Sequence, residues 1–231
     1  HQSGDEFRGP RARRDFAVLT MLVMPKLIGL DADQDGDEDL YQVVEDTVAL
    51  YVRDGGKLQK NPVYRRGFNL RNATDRAKRN AVMDVMLGDI SGDGFPDAVV
   101  TKLSGGMTSL KTETRVYVGQ GGAGFAKDPI SIRKRDGYAT PLAVVDVDGD
   151  KRMEVLEPEI TTTPVAVAGM LVKQRVDADL RVLRSDGKTV TEGKDLTVGF
   201  ALDTSGAGGV KGGLPLLGQD VNGDGRLDII S

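Results

Sequence analysis

Four acidic nonapeptides recur along this chain, each with an oxygen-bearing side chain at its first, third, fifth and ninth places. They are residues 31–39, 89–97, 146–154 and 220–228. Calcium binds about six to eight oxygen atoms at roughly 2.3–2.6 Å, and short loops of alternating carboxylates, amides and hydroxyls supply them. The seventh residue would add its main-chain carbonyl oxygen, so its side chain is free to vary. The four segments therefore predict calcium loops that bind three to four Ca2+ ions.

The spacing predicts five ligand residues in each loop. In the first loop they are Asp31, Asp33, Asp35, Asp37 and Asp39, and in the second Asp89, Ser91, Asp93, Phe95 and Asp97. In the third they are Asp146, Asp148, Asp150, Arg152 and Glu154, and in the fourth Asp220, Asn222, Asp224, Arg226 and Asp228. Asp37, Phe95, Arg152 and Arg226 are the carbonyl ligands.

The third loop departs most from the shared pattern. The chain must curl at the sixth place, where Gly36, Gly94 and Gly225 adopt a positive φ without steric cost. The third loop has Lys151 there, at a cost of about 1 kcal/mol for a left-handed residue that is not glycine. It also has Glu154 in place of the ninth aspartate. Whether three or four ions bind therefore depends on this loop.

Short apolar runs rich in β-branched residues flank the loops and predict β-hairpins. They precede the loops at residues 27–30, 85–88, 142–145 and 216–218, and follow them at 97–100, 155–156 and 228–230. An EF-hand would need a glutamate at the twelfth place between two helices. The twelfth residues are Gln42, Val100, Glu157 and Ser231, so only the third loop meets that requirement.

The loops mark a long internal repeat, because their first residues are 58, 57 and 74 positions apart. After each hairpin a second apolar stretch runs into a glycine turn. The apolar stretch 47–52 runs into the glycine turn 54–56, and 114–118 runs into the turn 119–124. In the third unit, the apolar stretches 165–172 and 179–183 precede the turn 185–187. We interpret all of them as strands, which gives about four strands per unit. Units of this size predict an all-β fold, a β-propeller built of four-stranded blades.

The loops, the strands that follow and the glycine turns resemble the FG-GAP and VCBS-type repeats of integrin α-subunit propellers and bacterial surface proteins. Tyr117–Phe125 is similar to the glycine-rich turn with an aromatic residue that closes such repeats. The resemblance covers roughly residues 25–231. It implies that each loop joins the first two strands of a blade on one face of the disc, with side-chain ligands at the places given above.

The family commonly has about seven blades, and this chain holds about three and a half. We therefore expect it to be part of a larger, about seven-bladed propeller. The alternative is a closed four-bladed disc in which residues 16–24 complete the fourth blade. We divide the chain into a basic segment, residues 1–15, and the propeller blades, residues 16–231. The apolar run 16–24 is interpreted as a strand, and it is too short to span a membrane.

Composition excludes several kinds of catalysis. The chain has no cysteine, and its single histidine is His1, so Ser–His triads, thiolate chemistry and histidine-rich zinc sites are excluded. The four loops hold 16 of the 35 acidic residues and three of the 31 basic ones, a net charge of −13. The rest of the chain then carries +9, since the whole carries −4. Calcium should therefore stabilise the fold, and its low cytosolic concentration favours an extracytoplasmic location (secreted, periplasmic or cell surface).

These features predict a non-enzymatic, calcium-stabilised interaction or adhesion module whose partner is another protein or a larger assembly. A glycan is a less favoured ligand, because the chain has no tryptophan to stack on a sugar. Residues 65–80 hold six basic residues and are either a solvated loop or a docking patch for an acidic partner. Few aromatic residues accompany them, so nucleic-acid binding is not expected. Two alternatives remain: a structural subunit of an extracytoplasmic assembly, and the propeller domain of a polysaccharide-degrading enzyme.

Overall fold

The computed structural model describes residues 24–78, 81–106, 108–193, 196–203, 209–211, 216–219 and 228–230. Three predictions lie wholly or largely outside the described residues. They are the basic segment 1–15, the strand predicted at 16–24 except for Met24, and the fourth loop except for Asp228.

The first sheet is an antiparallel meander. Its strands are β1 (Lys26–Leu30), β2 (Asp39–Val44) and β3 (Thr47–Tyr51); a small hairpin of β4 (Arg53–Asp54) and β5 (Lys57–Leu58) follows, and β6 (Tyr64–Gly67) completes the sheet. The order across the sheet is β1-β2-β3-β6. Helix α1 (Ala73–Lys78) then leads to the second sheet.

The second sheet repeats this arrangement with longer strands. They are β7 (Ala81–Gly88), β8 (Asp97–Ser104), β9 (Lys111–Tyr117) and β10 (Ser131–Asp136), all antiparallel to their neighbours in chain order. Strand β8 is buried along its first six residues on both faces, whereas β2 alternates between buried and partly exposed positions. The difference arises because β8 is covered by a sheet on each side.

The third sheet is the largest. Its strands are β11 (Ala143–Val145), β12 (Glu154–Glu159), β13 (Arg175–Ser185), β14 (Val190–Glu192), β15 (Leu196–Asp203) and β16 (Gly209–Lys211). Strands β14 and β15 lie in tandem along one edge of β13, and together they take the place of a fourth strand. A further antiparallel pair is formed by β17 (Leu216–Gln219) and β18 (Asp228–Ile230).

The four predicted hairpins are confirmed. Strand β1 pairs with β2 across the first loop, β7 with β8 across the second, β11 with β12 across the third, and β17 with β18 on either side of the fourth. The apolar runs form strands because alternate side chains enter the space between sheets.

The interpretation of residues 165–172 as a strand is wrong. They form helix α2 (Pro164–Lys173), which connects β12 to β13. Thr163 is the N-cap, and its side chain accepts a hydrogen bond from the Ala166 N–H at 3.3 Å. Pro164 suits the first turn of a helix, and Gln174 ends α2 in the left-handed conformation. The apolar composition is compatible with strand or helix, and these caps decide in favour of the helix.

One apolar core fills the space between the first and second sheets. Tyr41, Val48 and Leu50 contribute from the first sheet, and Val85 and Val100 from the second; all are at most 1% exposed. At about 25 cal/mol per Å2 of buried apolar surface, side chains of this size each stabilise the fold by roughly 1.5–3 kcal/mol. The two sheets therefore form one packed unit.

The glycine turn after β9 is fastened to the first sheet by aromatic contacts. The ring of Phe125 packs edge-on against Tyr64, with centroids 5.8 Å apart, and lies 5.9 Å from Phe68. The Arg66 guanidinium lies 4.7 Å from the ring centroids of both Phe68 and Tyr117. It also donates to the main-chain carbonyls of residues 126 and 127 at 2.6 and 2.7 Å.

The basic stretch 65–80 is therefore not simply a solvated loop or a free docking patch. Arg66 is held between the first two sheets, as described above. Arg71 donates to both carboxylate oxygens of Glu45 at 2.8 and 3.0 Å. Arg65 is exposed. The stretch contains strand β6 and helix α1, and two of its arginines are used to join elements within the chain.

The junction between the second and third sheets is part apolar and part ionic. Near the loops it is a small core of Ile90, Val99, Val155 and Leu183. Farther along the strands lies an ion-pair network formed by arginines of β10 and β13 and glutamates of β12 and β14. Its members are Arg133, Arg135, Arg181, Glu157, Glu159 and Glu192.

Over the part of the chain that the structure describes, the architecture is all-β with two short helices, and successive antiparallel sheets pack in chain order like propeller blades. The first strands of neighbouring sheets lie close together: Lys26 of β1 forms an ion pair with Asp84 of β7, and β7 contacts β11. Closure into a ring, with four or about seven blades, stays a prediction. Within the described ranges, no helix combines the length and apolar character needed to span a membrane.

Candidate metal-binding loops

The first aspartate organises each described loop by accepting main-chain hydrogen bonds. Asp31 accepts from the N–H groups of Gln34 at 2.7 Å and Gly36 at 3.0 Å. The other two loops repeat this pattern at the fourth and sixth places. Asp89 accepts from Gly92 and Gly94, and Asp146 from Gly149 and Lys151, at 2.7–2.9 Å. These bonds curl the chain around the first carboxylate.

The curl needs a left-handed residue at the sixth place, as predicted. The φ angles are +92° at Gly36, +89° at Gly94 and +72° at Lys151. The fourth place is also left-handed, which the sequence interpretation missed. Its residues are Gln34, Gly92 and Gly149, with φ of +65°, +75° and +81°. The signal was present, since three of the four loops have glycine at the fourth place.

In the first two loops, the ninth acid links its loop to the residue two places past the third strand of the sheet. Asp39 accepts from the Ala32 N–H at 2.9 Å and the Arg53 N–H at 2.7 Å. In the second loop Asp97 accepts from Ile90 and Ser91, and from the Gly119 N–H at 2.7 Å. Asp39 and Asp97 are 2% and 0% exposed. Each is thus a buried carboxylate satisfied by main-chain donors from two parts of its sheet.

Carboxylates converge at two of the described loops. In the first, one oxygen each from Asp31, Asp33 and Asp39 lies within 4.8 Å of the other two. The third loop brings together Asp146, Asp148 and Glu154 in the same way. Hard oxygen donors at this spacing fit a hard cation such as calcium.

The second loop has a different donor at its third place. Ser91 lies between the two aspartates Asp89 and Asp97, so this loop has two carboxylates where the others have three. The Ser91 hydroxyl oxygen is buried, and its side chain acts on the Asp97 carboxylate by lowering the pKa of that group. Hydroxyl and carboxylate oxygens are both ligands that calcium accepts. The donor set of the second loop therefore also fits calcium.

The fifth and seventh residues do not join these clusters. The Asp35 carboxylate accepts from the Asp37 N–H at 2.9 Å, and Asp93 accepts from the Phe95 N–H at 2.9 Å. Asp150 does the same with the Arg152 N–H at 2.8 Å. These pairs shape the second half of each loop. Their predicted role as calcium ligands stays a prediction, as does the role of Asp220, Asn222, Asp224 and Arg226, which lie outside the described residues. Asp228 begins β18.

Burial, with a smaller effect of neighbouring carboxylates, raises the pKa of one acidic residue in each described loop. Desolvation, then repulsion from Asp35 and Asp39, raises the pKa of Asp33. Burial raises the pKa of Asp97, although the N–H groups of Gly119 and Ser91 oppose it. Burial also raises the pKa of Glu154, and Asp148 adds to the effect. In each loop the folded state makes ionisation of at least one carboxylate less favourable, which a bound cation would reverse.

An arginine stands beside the third cluster, and the sequence interpretation missed it. The Arg184 Nη2 atom lies 3.1 Å from Asp148 Oδ2, and its Nε atom lies 3.7 Å from Glu154 Oε1. Arg184 is 36 residues after Asp148 in the chain, so only the pairing of β12 with β13 brings the two together.

The described loops also touch one another along one edge of the sheets. The Gln34 side-chain amide of the first loop donates to the main-chain oxygen of Asp93 in the second, at 3.3 Å. The Met153 N–H of the third loop donates to the main-chain oxygen of Asp89 at 2.9 Å. The three loops are therefore joined in a row, on the same side of successive sheets.

Comparison with known families identifies one region of the chain. The model of the FG-GAP-like repeat matches residues 89–157, from the first aspartate of the second loop to β12. The match contains two complete loops and the strands between them. No curated protein and no solved structure matches the chain. Residues 89–157 of this protein are therefore an FG-GAP-like repeat.

Proposed function

We propose that this protein is a calcium-stabilised scaffold of the propeller type that acts outside the cytoplasm as a non-catalytic interaction module. The observation that carries the proposal is the convergence of three carboxylates in the first loop and three in the third, which lie with the second loop along one edge of the sheets. Such a row of sites gives the molecule a rigid, calcium-dependent edge.

The first and third loops would hold the ion by their first, third and ninth carboxylates, and the second by Asp89, Ser91 and Asp97. Bound calcium supplies positive charge where the loops carry −13 in total. The same carboxylates accept main-chain N–H groups from the loop and, through Asp39 and Asp97, from beyond the third strand. Ion binding would therefore tighten the hairpin and its link to the sheet together.

A structural use of calcium supports the non-catalytic part of the proposal. The carboxylates that would bind the ion are already committed to main-chain donors, and they support the connections between strands. Extracellular calcium is abundant enough to fill loops without a bidentate glutamate, which supports an extracytoplasmic location. The partner we expect is another protein or a larger assembly, which would contact the rigid loop edge.

Calcium titration tests the scaffold proposal. Metal-free protein is titrated by calorimetry, and its melting temperature is followed with and without calcium. A site filled at 100 times its Kd stabilises the folded state by about 2.7 kcal/mol, or roughly 5 °C or more for a chain of this size. Magnesium at equal concentration is the control for general screening. No heat of binding and an unchanged melting temperature would overturn the proposal.

The interaction role needs a separate test. The loaded protein is cross-linked on the surface of the cells that produce it, beside a variant with Asp31→Asn and Asp89→Asn. A partner captured by the wild type with calcium, and lost both on chelation and in the variant, supports the role. Equal capture by the wild type and by the variant, once the variant is shown to have lost calcium at its first two loops, would contradict it, because those loops would then be irrelevant to recognition.

A further inference from the structure

The third loop has a positively charged side chain across from its ninth acid, at a position where the first two sheets have an uncharged residue. In the first sheet Leu40 pairs with Tyr51, so the next position along the two strands sets Asp39 opposite Val52. In the second sheet Ala98 pairs with Tyr117, which sets Asp97 opposite Val118. In the third sheet Val155 pairs with Leu183, which sets Glu154 opposite Arg184. An arginine thus replaces a valine across from the ninth acid.

Arg184 changes the polar contacts that Glu154 makes. Asp39 and Asp97 each use their second oxygen to accept an N–H from the residue two places beyond the third strand. Glu154 accepts the Val147 N–H at 2.7 Å with one oxygen, and its other oxygen faces the Arg184 Nε atom at 3.7 Å. The residue of the third sheet that corresponds to Arg53 and Gly119 is Ser185, which still lies within β13 and pairs with Val190 of β14. The guanidinium has taken the place of a main-chain donor.

The guanidinium also reaches the third-place ligand. Its Nη2 atom lies 3.1 Å from Asp148 Oδ2, so one cation contacts two of the three converging carboxylates. A calcium ion bound to those oxygens at about 2.3–2.6 Å would lie within a few ångströms of the guanidinium and be repelled by it. A cavity of about 310 Å3 lined by Asp150, Glu154 and Arg184 gives the side chain room to move away.

We propose that Arg184 is a built-in counter-cation of the third loop, which calcium must displace before it can bind there. The proposal rests on the proposed calcium function and adds to it a difference between sites. The first and second loops depend on calcium for charge compensation. In the third loop, Arg184 compensates the negative charge of the carboxylates. This loop therefore keeps its shape when calcium is removed, and it binds the ion more weakly.

Removal of the arginine tests this directly. Arg184→Val introduces the residue that the first two sheets have at this position, and Arg184→Gln keeps the length of the side chain if valine disturbs folding. Either change should tighten calcium binding at the third loop by about tenfold or more, allowing for partial screening by solvent. Arg175→Val is the matched control, since Arg175 is an exposed arginine of the same strand that pairs with Asp177.

Asp148→Asn assigns the binding event to the third loop. In the wild type this change should leave the number of tight sites unchanged in calorimetry, whereas in Arg184→Val it should remove one. An additional tight site in Arg184→Val but not in Arg175→Val supports the proposal. If Asp148→Asn removes a tight site from the wild type, or Arg184→Val gains no affinity while other loops bind calcium, the proposal is overturned. Absence of binding at every loop would instead contradict the calcium function itself.

Discussion

At the scale of single residues, each loop is built on its first aspartate. Asp31, Asp89 and Asp146 all accept hydrogen bonds from the fourth and sixth N–H groups. The acceptor is a charged carboxylate, which strengthens each of these bonds. The main chain of each described loop is therefore curled around its first carboxylate by hydrogen bonds.

The fifth aspartates should differ in importance between loops. We predict that Asp35→Ala removes most of the stabilisation that calcium gives through the first loop, about 2 kcal/mol of unfolding free energy. The rise in melting temperature on adding calcium should become smaller accordingly. Asp150→Ala should cost much less, because Arg184 already offsets the charge of the third loop. The measurement is thermal unfolding with and without calcium. Equal losses in the two variants would show that the loops bind calcium alike.

Stabilisation by calcium should depend on pH. The folded state raises the pKa of Asp33 and Asp97 above 3.8 and that of Glu154 above 4.5. In metal-free protein, their contribution to stability is fully present below those unfolded values and is lost as pH rises through the folded pKa values. Calcium binds the ionised forms, so it restores stability where they are ionised.

The gain in melting temperature on adding calcium should thus be large near pH 7 and shrink below about pH 5. Metal-free protein is melted at several pH values and constant ionic strength, with and without calcium, which avoids a chelator whose own affinity changes with pH. A gain that grows as the pH falls would contradict the assignment of these carboxylates to the sites.

At the scale of elements, the glycine turn that closes the second sheet depends on one close contact. Gly124 has a φ of +93°, and a Cβ atom there would lie 2.2 Å from the Tyr64 ring. Gly124→Ala should therefore destabilise the protein by more than about 2 kcal/mol, through strain and displacement of the aromatic contacts.

Gly122→Ala is the control, because its Cβ would meet no atom within 4 Å. Chemical denaturation of the two variants is the measurement. A similar stability for both would show that the turn is not held against the first sheet.

The ionic junction between the second and third sheets should be sensitive to the loss of one partner. Glu157 is 1% exposed, and burial raises its pKa although Arg133 and Arg135 oppose the effect. Arg133→Ala would leave this carboxylate poorly compensated, with an expected cost of about 2–4 kcal/mol. Adding Glu157→Gln should recover part of the loss.

Arg175→Ala, at an exposed pair, should change stability by less than about 1 kcal/mol. Urea unfolding of the single and double variants measures the coupling. Strictly additive effects would show that Arg133 and Glu157 do not act together.

Most of these elements can be predicted from patterns of neighbouring residues, whereas contacts between residues far apart in the chain cannot. The hairpins around the loops follow from apolar runs next to tight turns, which are properties of neighbouring residues. The run 165–172 is apolar and predicts a strand by itself, whereas the Thr163–Pro164 cap that precedes it begins helix α2. Arg184 was missed because its place beside Glu154 depends on the register of β12 with β13, which no spacing in the sequence reveals.

At the scale of the whole molecule, the described sheets follow one another like propeller blades, with three loops along one edge. The junctions differ in kind: the first is apolar and aromatic, and the second is part apolar and part ionic. Gln34 and Met153 connect successive loops through main-chain oxygens. Calcium bound at one loop would therefore also support the neighbouring loop.

Native mass spectrometry of the metal-free chain after addition of calcium counts the ions that the loops bind. We expect three to four bound calcium ions, with the weakest retained only at higher calcium. In the double variant Asp31→Asn with Asp89→Asn, we expect two ions fewer. A wild-type protein that stays free of calcium at millimolar concentration, or a double variant that binds as many ions as the wild type, would contradict the assignment of calcium to these loops.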